Sequence, residues 1–320
     1  MGGNAKSMRA LLRAFNVFLV LVSTVIAVPQ ARADVVSERR HGQTVDLKVQ
    51  SAAMKKTMGV RLLVPSGWSE TATRRWPVLW LLHGGGDDYR SWTSHTDVEQ
   101  LAARYQVIVV MPEGGGCGNY SDWRSGGANW ETFHMGELRE LLKSRYRAGE
   151  AAAIAGNSMG GFGAMSYAAR HQGVFRAAAS FSGTLDSLLT GHRPSGPLFM
   201  ETTTALACPG TDPFDVWGDS QDQRDVWEAH NPTSQAARLK GVSLFVSSGD
   251  GRLGPLDKLG TPDIVLEPQT LAESRSFVSA LTKANVPAKL DFYGRGTHSW
   301  PYWQRELHRA FPMLMGRIGA

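Results

Sequence analysis

The chain has 320 residues, 42% of them hydrophobic and 20% charged, with 35 glycines, 15 prolines and a formal net charge of +5. This much apolar material suffices for one large core and excludes a chain left disordered for want of one. The basic excess sits in residues 1–33, which hold four Lys/Arg and no acid; the remaining 30 basic and 29 acidic side chains leave a net near +1, no footprint for nucleic acid.

Lys6, Arg9 and Arg13 precede an apolar stretch from Phe15 to Val28, and Ala31-Arg32-Ala33 has the small-x-small form of a cleavage site. That is the pattern of a secretory signal peptide, so a mature start near Asp34 is expected. The apolar stretch is too short to span a bilayer comfortably, and no second candidate follows it. A secreted or cell-wall-associated protein with no transmembrane segment after leader removal is the expectation. No Pro/Ser-rich linker, repeat or low-complexity tract divides residues 34–320, which are expected to form a single catalytic domain.

Strands are predicted at 44–50 and 58–64, as an antiparallel lead-in, then at 78–82, 107–111, 151–155, 177–181, 242–247 and 288–293. Most of those beyond residue 76 are continuous apolar runs, as in strands covered on both faces. Helix patterns fall between them at 96–104, 131–145, 161–171, 267–283 and 303–314. The alternation implies a mainly parallel sheet with helices on both faces. Residues 183–232 resist the pattern, being rich in Gly, Pro, Asp and Trp, and are expected to be an irregular, lid-like insertion.

Motifs that carry chemistry follow in the same order. After the strand at 78–82 comes His83-Gly84-Gly85-Gly86, whose glycines let the main chain approach a developing alkoxide; Gly85 is the candidate oxyanion donor. No Gly-Lys-Ser/Thr follows, which argues against a phosphate cradle. Cys117 and Cys208, each in a Gly/Pro-rich loop, are expected to form one disulfide in an exported protein, two separate buried thiols being the alternative. They have no histidine partner at ligand spacing, so no zinc site, and no cofactor, is expected.

The apolar run 151–155 leads into Gly156-Asn157-Ser158-Met159-Gly160-Gly161 and then a small-residue helix. This strand, turn and helix setting makes Ser158 the candidate nucleophile and the Met159 N–H the second oxyanion donor. A glycine-rich turn with an incidental serine is the bland alternative. The base is expected after the last strand, where His298 stands in Gly296-Thr297-His298-Ser299-Trp300; His308 lies in a helical pattern and reads as a surface residue. For the acid, position alone favours Asp250, directly after the strand 242–247, over Glu267 at the start of the next helix.

The segment Gly296-Thr297-His298-Ser299-Trp300-Pro301-Tyr302-Trp303 closely resembles the histidine segment of the antigen 85 mycolyltransferases. Further blocks resemble theirs in the same order: Asp87-Asp88-Tyr89 with Trp92, Tyr120-Ser121-Asp122-Trp123, Trp130-Glu131-Thr132-Phe133, Gly156-Asn157-Ser158-Met159 and Trp217-Gly218. The wider group is the esterase D type of α/β-hydrolase. The resemblance implies an α/β-hydrolase fold and a glutamate acid in a Leu-Glu pair, which puts Leu266-Glu267 first, Asp250 second and Glu273, otherwise a solvated helix residue, third. Two features depart toward plain esterases, Gly160-Gly161 and the triple glycine after His83, and the loop Arg124–Asn129 is short.

Three functions are therefore carried forward. The first is a secreted serine ester hydrolase with a Ser-His-acid triad acting on acyl esters. The second passes the acyl group to a sugar or lipid hydroxyl, with Asp87, Asp88, Trp92, Trp300 and Trp303 as a sugar-binding rim; the alternative is that most of these tryptophans are core. The third is a non-catalytic surface binding protein.

Overall fold

The computed structural model describes residues 33–258 and 265–320; the expected signal peptide lies outside the described residues. Among the described residues nine strands form one sheet: β1 (Asp34–His41), β2 (Thr44–Ser51), β3 (Lys56–Leu63), β4 (Trp76–Leu82), β5 (Ile108–Pro112), β6 (Ala148–Asn157), β7 (Phe175–Phe181), β8 (Ser243–Gly249) and β9 (Ala288–Gly294). Their order is β1-β2-β3-β5-β4-β6-β7-β8-β9, antiparallel from β1 through to β5 and parallel from β5 onward. β1 was not expected. It is an edge strand, largely exposed, and its Ser37-Glu38-Arg39-Arg40 carries no apolar alternation to announce it.

The continuous apolar runs have a simple cause. Alternate residues of β4 enter opposite cores: Val78, Trp80 and Leu82 on one face, Leu79 and Leu81 on the other. β6 repeats this with Ala152 and Ile154 against Ala153 and Ala155. The first face is covered by α3 (Arg139–Arg145), which continues a π-helical turn over Thr132–Leu138, and by α4 (Met159–Arg170) and α8 (Leu266–Lys283). The second is covered by α9 (Trp300–Ile318) together with α1 (Ser91–His95) and α2 (Val98–Ala102).

The interval 183–232 is only partly irregular. It holds α5 (Gly196–Ala207), α6 (Phe214–Trp217) and α7 (Arg224–His230). Proline in the first turn of α5 and at the cap of α6 starts these helices; read as sequence, the same prolines look like breakers. Met200, Val216, Trp217 and Trp227 pack with Phe162 of α4 as a separate small core.

β4 lies between β5 and β6, so the chain leaves it toward one side and later returns on the other. Loops after β4 and β6 therefore open next to each other at the carboxyl ends of the strands, the place where such sheets bind ligands.

Candidate active site

Ser158 joins β6 to α4 with φ 51° and ψ −123°, a left-handed strain that persists only where surroundings enforce it. Those surroundings are glycines pressed against backbone. A Cβ on Gly156 would lie 2.3 Å from Gly160 C, one on Gly160 2.3 Å from Leu82 O, and one on Gly161 2.5 Å from Ser180 Oγ. The Ser158 N–H donates to Phe181 O (2.9 Å), fixing the turn to β7. Met159 begins the helix, so its N–H has no intrahelical acceptor.

Facing this turn is the loop after β4. His83 is buried; Gly114 N–H donates to its Nε2 (2.8 Å), and its Nδ1 lies 2.8 Å from Gly84 O. An Nε2 that accepts from an amide carries no proton, so His83 is the neutral Nδ1–H tautomer. Glu113 Oε1, 3.5 Å from the same Nε2, is for that reason a neighbour and not an ion-pair partner. Tyr120 O–H donates to His83 O (2.9 Å) and Gly86 N–H to Gly116 O (2.9 Å). The Gly85 N–H has no protein acceptor among the described residues.

His298 arrives on the loop after β9, tied to the loop after β8 by Gly251 N–H donating to Gly296 O (2.9 Å). Its Nδ1 donates to Glu267 Oε2 (2.7 Å), and its ring stands edge-on to Trp303 (4.9 Å). Glu267 is fully buried, and its Oε1 accepts from Gly249 N–H, from Ser182 Oγ (2.8 Å), Ser248 Oγ (3.1 Å) and Tyr293 Oη (3.2 Å). Burial pushes this carboxyl up, but the His298 hydrogen bond and charge, then Gly249 and Ser182, outweigh it and hold its pKa below the ordinary carboxylate value. With Nδ1 so engaged, Nε2 is the ring nitrogen left to exchange a proton.

Ser158, His298, Met159 and Gly84–Asp87 line one cavity of about 340 Å³. Its other wall is apolar, from Phe162, Leu266 and α5, which contributes Phe199, Met200, Leu206 and Ala207. Cys117 and Cys208 are bonded, with Cα atoms 5.9 Å apart, at the meeting of α5 and the loop after β5.

Other sequence candidates fall elsewhere. Asp250 is held by Arg252, which donates through Nε (2.8 Å) and its backbone N–H (3.0 Å), and among the described residues it makes no bond to His298. Glu273 is not a solvated helix residue: it is fully buried, bonded to Gln269 Nε2 (2.8 Å), and burial drives its pKa well above the ordinary value. His308 is exposed and paired with Asp97 (2.7 Å). Trp92 is core and not rim, its Nε1–H donating to Leu82 O (3.0 Å). Trp303 lines the cavity but is largely buried, donating to Ser182 Oγ (3.3 Å); Trp300 is half-buried, stacked on His95 (4.9 Å). Asp87 lines the cavity, the pKa of its carboxyl raised by burial, whereas Asp88 is half-buried and paired with Arg90.

Residues that sequence reasoning missed are those behind Glu267, namely Ser182, Ser248 and Tyr293, and the side chains of the α5 wall. Ser182 had a faint signal, a polar residue closing the apolar β7 before Gly183. Among the described residues no group of three His, Cys, Asp or Glu is placed to hold a metal ion, and no helix is long and apolar enough to cross a membrane.

The chain is 32% identical over 253 residues to Esterase Rv1288 of Mycobacterium tuberculosis (strain ATCC 25618 / H37Rv), covering 75% of this chain and 52% of that protein. It thus spans about half the length of that relative. It is 30% identical over 256 residues to the diacylglycerol acyltransferase/mycolyltransferase Ag85B of Mycolicibacterium smegmatis (strain ATCC 700084 / mc(2)155), covering 76% and 77% of the two chains. Among solved structures, Mycobacterium tuberculosis MPT51 (FbpC1) superposes with a TM-score of 0.69 at 24% identity, over 85% of this chain and 97% of that one. An S-formylglutathione hydrolase from Agrobacterium tumefaciens superposes at 0.68 and 17% identity, over 89% and 99%. Both likenesses show the α/β-hydrolase fold. Residues 51–314 match the Esterase family model, and the chain belongs to that family.

Proposed function

We propose that the protein is an exported serine ester hydrolase in which Ser158 is the nucleophile, His298 the base and Glu267 the acid. The observation that carries this is the buried Glu267–His298 pair beside a strained serine turn, at the polar end of an apolar cavity. An ester carbonyl enters with its acyl chain along α5. His298 Nε2 takes the Ser158 proton as Oγ attacks the carbonyl carbon, and the N–H groups of Gly85 and Met159 receive the oxyanion. Collapse breaks the ester bond, and the imidazolium returns the proton to the leaving alkoxide. Water, deprotonated by the same nitrogen, then attacks the acyl carbon; the Oγ–acyl bond breaks, the imidazolium returns the proton to Ser158 Oγ, and the acid leaves. Glu267 holds the imidazole with its Nδ1–H inward, and its lowered pKa keeps it ionised throughout.

Export rests on the basic and apolar leader with Ala31-Arg32-Ala33, and the 183–232 insertion acts through α5 as the cavity's lid within a single catalytic domain. Purified protein should hydrolyse a short-chain aryl ester, and Ser158→Ala should lower turnover by about 10³-fold or more; turnover retained in that variant would refute the serine assignment, and no turnover in the wild type would favour a surface binder.

Acyl transfer to a hydroxyl acceptor is the second reading. A polar cleft of about 400 Å³ adjoins the cavity through Gly86 and Asp87 and presents Arg61, Asp88, Arg90 and His95, groups suited to a polyhydroxylated acceptor. Asp87 and Asp88 keep their place in this reading, with Trp300 and Trp303 near the boundary. Supplying an acyl donor with trehalose, glycerol or simple alcohols distinguishes the readings by product, free acid or new ester.

A further inference from the structure

α5 supplies Phe199, Met200, Thr203, Thr204, Leu206 and Ala207 to the cavity, yet it does not lie on the sheet. Met200 packs into the small core with Phe162 and Trp217, and the remaining ties of α5 are at its ends. At the start, Gly196 N–H donates to Leu189 O (2.8 Å). Near the finish, Asn119 Nδ2 donates to Thr204 Oγ1 (3.2 Å), and Cys208, which ends the helix, is bonded to Cys117. The loop carrying Cys117 is pressed on the same spot: a Cβ at Gly116 would lie 3.0 Å from Ala207 O. That loop keeps its own hold on the oxyanion strand end, through Gly114 N–H to His83 Nε2 and Gly116 O from Gly86 N–H. Cutting the disulfide therefore loosens the C-terminal end of the acyl wall, around Leu206 and Ala207, and leaves the proposed oxyanion donors supported.

We propose that the Cys117–Cys208 disulfide is a positioning bond that sets acyl-chain selectivity, by fixing the distance between α5 and the nucleophile side of the cavity. The inference rests on the ester-hydrolase reading. A short acyl group sits at Ser158 and the oxyanion donors and makes little use of α5. A longer chain gains its binding from Phe199, Met200 and Leu206, so it alone depends on where α5 is held.

The test compares acetyl and octanoyl p-nitrophenyl esters on the folded, oxidised protein, on Cys208→Ala, and on the wild type reduced after folding. Dithiothreitol performs that reduction: its two thiols give two electrons and two protons to the disulfide, yielding two cysteine thiols and the cyclic oxidised reagent. The octanoyl-to-acetyl ratio of kcat/KM should fall roughly tenfold, through the octanoyl KM, the loss expected when about two methylenes lose their contacts. Reoxidation should restore the ratio in the wild type, and dithiothreitol should leave Cys208→Ala as it was. A ratio unchanged while both esters decline together, or unchanged altogether, overturns the proposal; circular dichroism of the reduced wild type supplies the comparison should the variant not fold. If the oxidised wild type hydrolyses neither ester and a fluorophosphonate does not label Ser158, the hydrolase reading itself has failed and this inference with it.

Discussion

On the nucleophile side of the cavity, a methyl group added to Gly156, Gly160 or Gly161 would meet a neighbouring heavy atom within 2.5 Å. On the facing side, α5 leaves Leu206 75% exposed and Leu198 54% exposed, and it is anchored by Met200 in the small core with Phe162 and Trp217 and, at its ends, by two hydrogen bonds and a disulfide. One wall is over-determined by backbone contact, as a strained φ requires; the other is held by a small side-chain cluster and a few removable ties. Chemistry that needs reacting atoms placed to a fraction of an ångström belongs on the first kind of wall. Selection among acyl groups can live on the second, where side chains change without disturbing the first.

The comparison can be broken hardest at the acid. Glu267→Gln removes the charge that holds His298 and should lower ester turnover about 10³- to 10⁴-fold with the fold retained, measured as kcat with circular dichroism as control. Gly160→Ala attacks the rigid wall itself; the added methyl cannot be placed, and a loss of roughly 3 to 5 kcal/mol, or no folded protein, is expected in urea denaturation.

A third, smaller effect lies in the support beneath the loop after β5. His134 is fully buried, its Nε2–H donating to Glu113 O (2.8 Å) and its Nδ1 lying 3.0 Å from Tyr167 Oη. Burial, above all, lowers its pKa from 6.5 to about 4. The unfolded chain binds this proton first, so the stability it contributes is complete above pH 6.5 and is lost as pH falls toward 4, roughly 3 kcal/mol in all. Urea midpoints across that window should show the slope, and His134→Gln should flatten it. Smallest of all, Asp250→Asn should change turnover by less than about threefold, since surface ion pairs contribute little; a crippled Asp250→Asn beside an active Glu267→Gln would reverse the assignment of the acid.

The rigid wall was legible in the sequence because its constraints are local: glycine spacing around Ser158, triple glycine after His83, and a histidine after the last strand. The proposed acid was not local. Asp250 occupies the expected strand end, but its side chain turns to Arg252, while Glu267 reaches back from the start of α8 to Gly249, Ser248 and Ser182. That arrangement depends on three separate segments, and only the likeness to the mycolyltransferases pointed to it. α5 was illegible for a different reason: Gly196-Pro197 and Cys208-Pro209-Gly210 mark its two ends, and on paper such residues mark loops.

Gly163 sits in the second turn of α4, where alanine would ordinarily strengthen a helix by about 1 kcal/mol. Here a Cβ would strike the Tyr120 ring at 2.5 Å, and that ring ends in the hydroxyl that supports His83 O. Filling this helix position with alanine would thus overpack the Tyr120 site and displace the support of the proposed oxyanion loop, costing turnover as well as stability at a residue that touches no substrate. Gly163→Ala should reveal this as a fall in kcat larger than any fall in melting temperature would suggest.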